Sequence, residues 1–444
     1  MKLISRDSES KLLERQFWLA STKSGRMTLV SGPRFSGKTT LVVRSLQDAL
    51  LFYLGIGSRA EAMIVSECRD AIQKATGESV SKTVNTYRKL FDYFLYLGSR
   101  VTFSLVIDDF QEFRKKDPGI YEYIRDSWMR SRRSGHVNLV LICSNQAAVD
   151  TIFTQEDAPM HGLPDQEIRL GNLGIREIKS LLLDACPGCT NEDLLAIYMV
   201  TGGSCRYLSS LLEAGICTKE AVFDRFFSPD SGFMNEGETV LDRILGKNSE
   251  MYRSILQLIA SGVDSQPEIE ERLSGAITGG HLAKLETDYE LVTKSRPVLA
   301  GSKSRNVVRY EITDLFLWLW LKYISPFQSI FYKGGFDTLK TNMLQGYPAH
   351  AKQVLVRYFM HKFAEENGIR ELGGDWASKK DKSGLPDVDI VAFSPKKDKV
   401  LVCDVEYSVE GFKKEPFLEK VDSLRNGPLK GYDIDARLFS VADM

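Results

Sequence analysis

Eight residues, Gly32-Pro33-Arg34-Phe35-Ser36-Gly37-Lys38-Thr39, limit what this chain can be more than any other stretch. They fit the spacing G-x-x-x-x-G-K-[ST], and their flanks fit as well. The apolar run Met27-Thr28-Leu29-Val30 leads in as a buried strand would, and Thr40-Leu41-Val42-Val43 continues as a helix would. Glycines let the backbone curl until its N–H groups face a phosphate, and the helix N-terminus adds a favourable dipole. Lys38 would then reach the β- and γ-phosphates, and the Thr39 hydroxyl would hold Mg2+. The expectation is a nucleoside triphosphate site running from Gly32 to Thr40, with Pro33, Arg34, Phe35, Ser36 and Gly37 forming its loop. The competing reading is a glycine-rich strand–helix turn without a ligand.

Bulk properties exclude several other classes. The chain has 444 residues, enough for about three domains, and 43% hydrophobic with 26% charged residues is ordinary for a globular protein. Lys plus Arg (58) nearly balances Asp plus Glu (59), so no global field draws the chain to nucleic acid or membrane, and any basic surface is local. The richest apolar segment, Leu315–Leu321, is too short for a membrane span and is flanked by Asp314 and Lys322. The N-terminus lacks the apolar core of a signal peptide, which makes the cytoplasm the expected address. Seven scattered cysteines suit a reducing compartment. Cys186-Pro187-Gly188-Cys189 has no second pair for zinc, and no strand precedes it as in a redox motif. Its Pro-Gly reads as a helix stop after Ile175–Leu183.

Downstream, Val101–Ile107 is an apolar, β-branched run that ends in Asp108-Asp109, the pattern of a buried parallel strand. Ligands gather at the carboxyl ends of such strands, which places Asp108 in the Mg2+ shell beside Thr39 and Asp109 at the attacking water. An acidic strand cap is the alternative. Val137–Cys143 reads as a third strand ending in Ser144-Asn145-Gln146; the Asn145 amide either senses the γ-phosphate and the lytic water or marks a strand-to-loop exit. With a short strand at Glu167–Leu170, strands alternating with helices give a three-layer α/β domain. In the mostly helical stretch that follows, Gly202-Gly203 breaks one helix and Ser204 caps the next. That leaves Arg206 in a first turn, aimed at the γ-phosphate or at solvent.

Taken together, the phosphate loop, Asp108-Asp109-Phe110-Gln111, Ser144-Asn145 and Gly202-Gly203…Arg206-Tyr207-Leu208 resemble the archaeal and prokaryotic AAA+-like P-loop ATPases related to the MNS and STAND groups. The resemblance implies ATP and Mg2+ as cofactors, with Lys38, Asp109 and Asn145 catalytic, Arg206 on the nucleotide, and Thr39 and Asp108 at the metal. Asp109 stands where the family carries glutamate, one methylene longer, which implies slow turnover. Pro159-Met160-His161-Gly162-Leu163 puts leucine where the family places a loop arginine. Members also complete their site with a neighbour's arginine, so Arg125, Arg130, Arg132 and Arg133 are either such a contribution to an oligomer or a solvated face.

From Asn248 to Thr313 the pattern becomes three short helices (Met251–Ile259, one starting at Ser265, and Gly279–Leu285) and a hairpin, Leu291–Ser295 with Val307–Ile312. This resembles the winged helix that follows the ATPase in the same family and implies duplex DNA as a partner. The third helix offers only His281 and Lys284 as cations; the wing offers Lys294, Arg296, Lys303, Arg305 and Arg309, and a structural role stays open. The aromatic run after Asp314 reads as core or domain interface.

In the last third, Asp387–Phe393 and Val400–Tyr407 read as adjacent strands with carboxylates on one face. They resemble the PD-(D/E)xK nuclease-like domain fused to these ATPases. Asp389 and Asp404 match its metal carboxylates, a second metal site, but Glu406 falls where the lysine belongs and Val356 where a helix glutamate belongs. Lys413 or Lys414 is left as a substitute lysine, and an inactive domain is the favoured reading over an active one.

The expected fold is thus α/β: an AAA+-like P-loop NTPase core with a three-layer parallel sheet over 1–172, and a helical lid over 173–247. A winged helix with an aromatic linker helix covers 248–325, and a degenerate restriction-endonuclease-like α/β domain covers 326–444. The expected partners are ATP, duplex DNA and a protein, with no membrane.

Overall fold

The computed structural model describes residues 6–57, 59–246, 249–299, 308–365, 369, 371–376, 386–396 and 398–444. The chain forms two compact units, Met1–Leu173 with Ser204–Arg206, and Gly174–Gly203 with Tyr207–Met444. No helix among the described residues is long and apolar enough to cross a membrane.

The first unit is built on five strands, β1 (Arg26–Ser31), β2 (Leu51–Gly55), β3 (Phe103–Asp108), β4 (Val137–Cys143) and β5 (Gln166–Arg169), all parallel in the order β2-β3-β4-β1-β5. Side chains alternate across the sheet. Leu29, Leu105, Leu139 and Leu141 join one buried cluster with Phe94, Phe103 and Trp128. Val30, Val106, Val140 and Ile142 join another with Leu13, Leu41 and Val42. Both faces are therefore covered, which is why the central strands read as unbroken apolar runs. Each fully buried Leu, Val or Phe contributes roughly 1.5–3 kcal/mol.

The sequence reading anticipates β1, β3, β4 and β5 but not β2. This edge strand buries only Phe52 and Leu54, and Tyr53 between them points outward. Because β4 lies between β1 and β3, the carboxyl ends of three strands converge on the phosphate loop.

In the second unit, helices at Ile175–Ala185, Asn191–Thr201, Lys219–Phe226 and Phe233–Leu245 precede three more at Glu250–Ser261, Gln266–Arg272 and Gly279–Thr287. An antiparallel hairpin follows, β6 (Val292–Ser295) with β7 (Arg309–Ile312); the expected wing cations Lys303 and Arg305 and the hairpin's Val307 lie outside the described residues. The aromatic helix Leu315–Tyr323 is buried almost throughout, with Asp314 capping its first turn (Leu317 N–H to Oδ1, 2.9 Å). Trp320 donates its indole N–H to the Met234 carbonyl (2.7 Å), and a Cβ on Gly237 would fall 2.1 Å from the Trp320 ring. Only glycine allows that approach.

The C-terminal sheet is mixed: β8 (Glu371–Asp375), β9 (Val388–Phe393) and β10 (Lys399–Val405) are antiparallel neighbours, and β11 (Asp433–Phe439) runs parallel to β10 after the helix Lys414–Asn426.

Candidate nucleotide site

The phosphate loop turns on residues with positive φ: Gly32 (142°), Phe35 (64°) and Gly37 (90°). A Cβ at Gly32 would stand 1.9 Å from the Leu170 carbonyl oxygen, so the first glycine of the motif is required by close backbone approach as well as by its torsion. Lys38 opens the helix Lys38–Ser45. Its buried ammonium donates to the carbonyls of Gly32 (2.8 Å) and Pro33 (2.6 Å), folding back on its own loop. Burial pulls its pKa down to about 8, against the opposing pull of Asp108 and Asp109. Buried Ser36 Oγ has no hydrogen-bond partner among the described residues. A loop with an orphaned hydroxyl and an ammonium spent on carbonyls fits a polyanionic ligand. Pro33 and Thr40 are exposed; Arg34 and Phe35 are half-buried.

Thr39 donates its hydroxyl to Asp108 Oδ2 (2.6 Å), and Oδ1 of Asp108 accepts the Asp109 backbone N–H (2.8 Å). A hydroxyl and a carboxylate side by side suit Mg2+, which takes few protein ligands and keeps water and phosphate oxygens for the rest. The strand end thus places Thr39 and Asp108 together, 69 residues apart in sequence.

Asp109 is left-handed (φ 52°), a region Asp tolerates better than most residues. Its Oδ1 accepts from Gln111 Nε2 (3.1 Å), and Gln111 Oε1 in turn accepts the Ser144 N–H (3.3 Å). Gln111 therefore ties the end of β3 to the end of β4. Asn145 sits at that end with its side-chain oxygen capping the short helix Gln146–Val149 (Ala148 N–H, 2.8 Å). Arg206 lies with its guanidinium 4.8 Å from the Phe35 ring centroid, over the loop's aromatic residue. Next to it Ser204 and Cys205 donate to the carbonyls of Phe35 (3.4 Å) and Ser36 (3.3 Å). Leu163, which stands where the resemblance places an arginine, packs against the core.

Tyr53 is a site residue the sequence reading does not name. Its hydroxyl donates to Asp108 Oδ2 (2.7 Å). Burial and that hydrogen bond raise its pKa, keeping the phenol protonated.

The second carboxylate group lies in the C-terminal sheet. Asp389 Oδ2 accepts the Val405 N–H (2.9 Å) and pairs with Lys352 (3.0 Å), which also reaches Glu406 (3.2 Å); Asp404 Oδ2 pairs with Lys420 (2.6 Å). Burial outweighs those partners and lifts the Asp389 pKa. Burial lowers that of Lys352, but Asp389 and Glu406 more than offset it and hold it above its ordinary value. The lysines that reach the carboxylates come from the helices Tyr347–Glu365 and Lys414–Asn426; Lys413 and Lys414 are exposed. Each aspartate expected at a metal is thus matched by an ammonium. No group of three His, Cys, Asp or Glu side chains among the described residues is arranged to hold a metal ion. Cys186 and Cys217 are both free thiols, and burial raises the pKa of Cys217.

Strand order, phosphate loop and the Thr39–Asp108 pair define a P-loop ATPase fold of the AAA+ type. No family model matches the sequence, and no curated protein matches it. Among solved structures, the chain is similar to the Walker-type ATPase PABY2304 of Pyrococcus abyssi: 16% identity, TM-score 0.52, 72% of this chain and 96% of that one. It is also similar to the ORC2 protein of Aeropyrum pernix, solved as ADPNP–ADP complexes: 15% identity, TM-score 0.50, 77% of this chain and 96% of that one. At these identities the likeness is one of fold.

Proposed function

We propose that this chain is a Mg2+-dependent ATP-binding protein that hydrolyses ATP slowly, and whose nucleotide state controls the winged-helix-like segment and the C-terminal sheet in association with duplex DNA. The observation that carries the reading is the constellation of Lys38 on the loop carbonyls with Thr39 hydrogen-bonded to Asp108. On ATP binding, Lys38 exchanges the Gly32 and Pro33 carbonyls for phosphate oxygens. Thr39 keeps its proton on Asp108 and turns its lone pairs to the ligand. Mg2+, when bound, neutralises phosphate charge. Asp109 orients the attacking water from a carboxylate held by Gln111.

A second reading, a nucleotide-gated scaffold or regulator with little turnover, is favoured by Asp109 itself, whose short side chain is tethered to Gln111 on the strand end. DNA association rests on exposed Lys284 and Arg296, since Lys294 pairs with Glu286 and Arg309 with Asp264. An ATP-controlled nuclease is disfavoured by Glu406 and Val356, which stand where that resemblance wants a lysine and a glutamate; Lys352 and Lys420 reach the carboxylates from other positions.

The test is steady-state ATP hydrolysis by the full chain beside Lys38→Ala, with and without duplex DNA. Turnover lost in the variant and raised by DNA supports the first reading. Binding without turnover under every condition supports the second.

A further inference from the structure

The Thr39–Asp108 pair accounts for only part of what surrounds the Asp108 carboxylate. Its Oδ2 accepts two hydroxyl protons, from Thr39 (2.6 Å) and from Tyr53 (2.7 Å), while Oδ1 takes the Asp109 N–H (2.8 Å). Three donors fix the carboxylate in plane and rotation. Two of them, Thr39 and the Asp109 amide, belong to the phosphate loop and the strand end. The third comes from a different strand and needs its own explanation.

Tyr53 lies on β2, in register with Val106, whereas Asp108 pairs with Gly55 two residues further on. The ring has to run forward along the edge of the sheet to reach Asp108. Gly55 lies beside that path: a Cβ there would sit 3.4 Å from Tyr53 Cε1 and 3.8 Å from the hydroxyl, in van der Waals contact, so a branched side chain rather than a methyl would crowd the ring. Burial does not force the pairing. Tyr53 is 46% exposed, so its ring is not wedged into place by the core. The strand register brings the phenol within reach of the carboxylate, and their hydrogen bond holds it there.

We propose that Tyr53 is a positioning residue for the metal side of the nucleotide site: it pins Asp108 Oδ2 so that Asp108 holds the Thr39 hydroxyl in the orientation that presents its lone pairs to a Mg2+–triphosphate. The inference rests on the ATP-site reading above and deepens it. A hydrogen bond from a phenol to a carboxylate is of the strong, charge-assisted kind. Partners that orient metal ligands from behind typically cost tenfold or more in metal affinity when removed. Tyr53 acts through Asp108 and Thr39, so its loss should affect binding that depends on Mg2+ and spare binding that does not.

The experiment uses the full chain and Tyr53→Phe, which keeps the ring and deletes only the hydroxyl. Binding of a fluorescent ATP analogue is measured twice, in excess EDTA and across a Mg2+ titration. The expected result is an unchanged affinity in EDTA and a half-saturating Mg2+ concentration raised roughly tenfold. A merely structural tyrosine would shift both arms together or neither, and either pattern overturns the inference. A Gly55→Val variant provides a second route, because a branched side chain displaces the ring without touching the hydroxyl; it should reproduce the Mg2+ shift. A wild-type chain that binds the analogue in neither condition would overturn the ATP-site reading, and the proposal with it. Overlaid wild-type and Tyr53→Phe curves would overturn the Tyr53 proposal alone.

Discussion

Raising the pH from 7 to 9 should weaken nucleotide binding about tenfold, because Lys38 has a pKa of about 8 in the free chain. Its ammonium is buried against two carbonyls, which compensate for lost water less well than phosphate oxygens would. With phosphates in place the group is held charged, so binding above pH 8 must take up a proton. At pH 9 about one free molecule in eleven carries the charge, against about nine in ten at pH 7, a loss of affinity worth about 1.4 kcal/mol. The sign for folding is opposite. The folded pKa lies below the ordinary 10.5, so the unfolded chain holds more protons between pH 8 and 10.5, and the free protein gains stability from this group as the pH rises through that window. Titration calorimetry at pH 7, 8 and 9, in buffers of different ionisation enthalpy, reads both the affinity and the proton uptake. Lys38→Arg, charged throughout this range, should flatten the profile. A wild-type affinity that does not change with pH, or a slope that survives in Lys38→Arg, would refute the reasoning.

Three further outcomes follow from particular contacts. Asp109→Glu, which restores the missing methylene, should raise the ATP turnover number roughly tenfold while leaving ATP affinity within about twofold, as general-base placement predicts; unchanged turnover would count against Asp109 as the water-orienting group. Gly237→Ala drives a Cβ to 2.1 Å from the Trp320 ring and should lower the Tm by an amount equivalent to about 1–3 kcal/mol, measured by thermal denaturation. Lys420→Met leaves Asp404 without its ammonium and should cost about 1–3 kcal/mol in denaturant unfolding, a loss that Asp404→Asn in the same chain partly restores.

What was legible in the sequence follows from how each signal is encoded. The phosphate loop is local, with its glycines, lysine and threonine within eight residues, and β3 and β4 are buried on both faces, so each reads as a continuous apolar run. β2 escapes notice because it is short: Leu51, Phe52 and Leu54 are apolar with Tyr53 outward between them, and five residues running straight on from Ala49-Leu50 do not separate from the helix before them. Tyr53 is hidden with it, since nothing local marks a tyrosine as facing a carboxylate 55 residues away. The lysines of the C-terminal sheet show the same limit. The resemblance offers Lys413 or Lys414 as the substitute lysine, yet the helix beginning at Lys414 buries Phe417, Val421 and Leu424, and Lys420 on it reaches Asp404. Lys352 comes from a helix that precedes both strands. Arg206 is placed by sequence in a first turn near the loop, but whether it faces phosphate or aromatic ring is a matter of tertiary packing, and in this structure it lies over Phe35.

The central claim is that the loop from Gly32 to Thr40 binds ATP through Lys38, Thr39 and Asp108. Equilibrium binding of ATP to the full chain in Mg2+, compared with Lys38→Ala at pH 7, tests it most directly. The account predicts saturable one-to-one binding by the wild type and a loss of at least tenfold in the variant. Equal affinities, or no binding by the wild type, would contradict it.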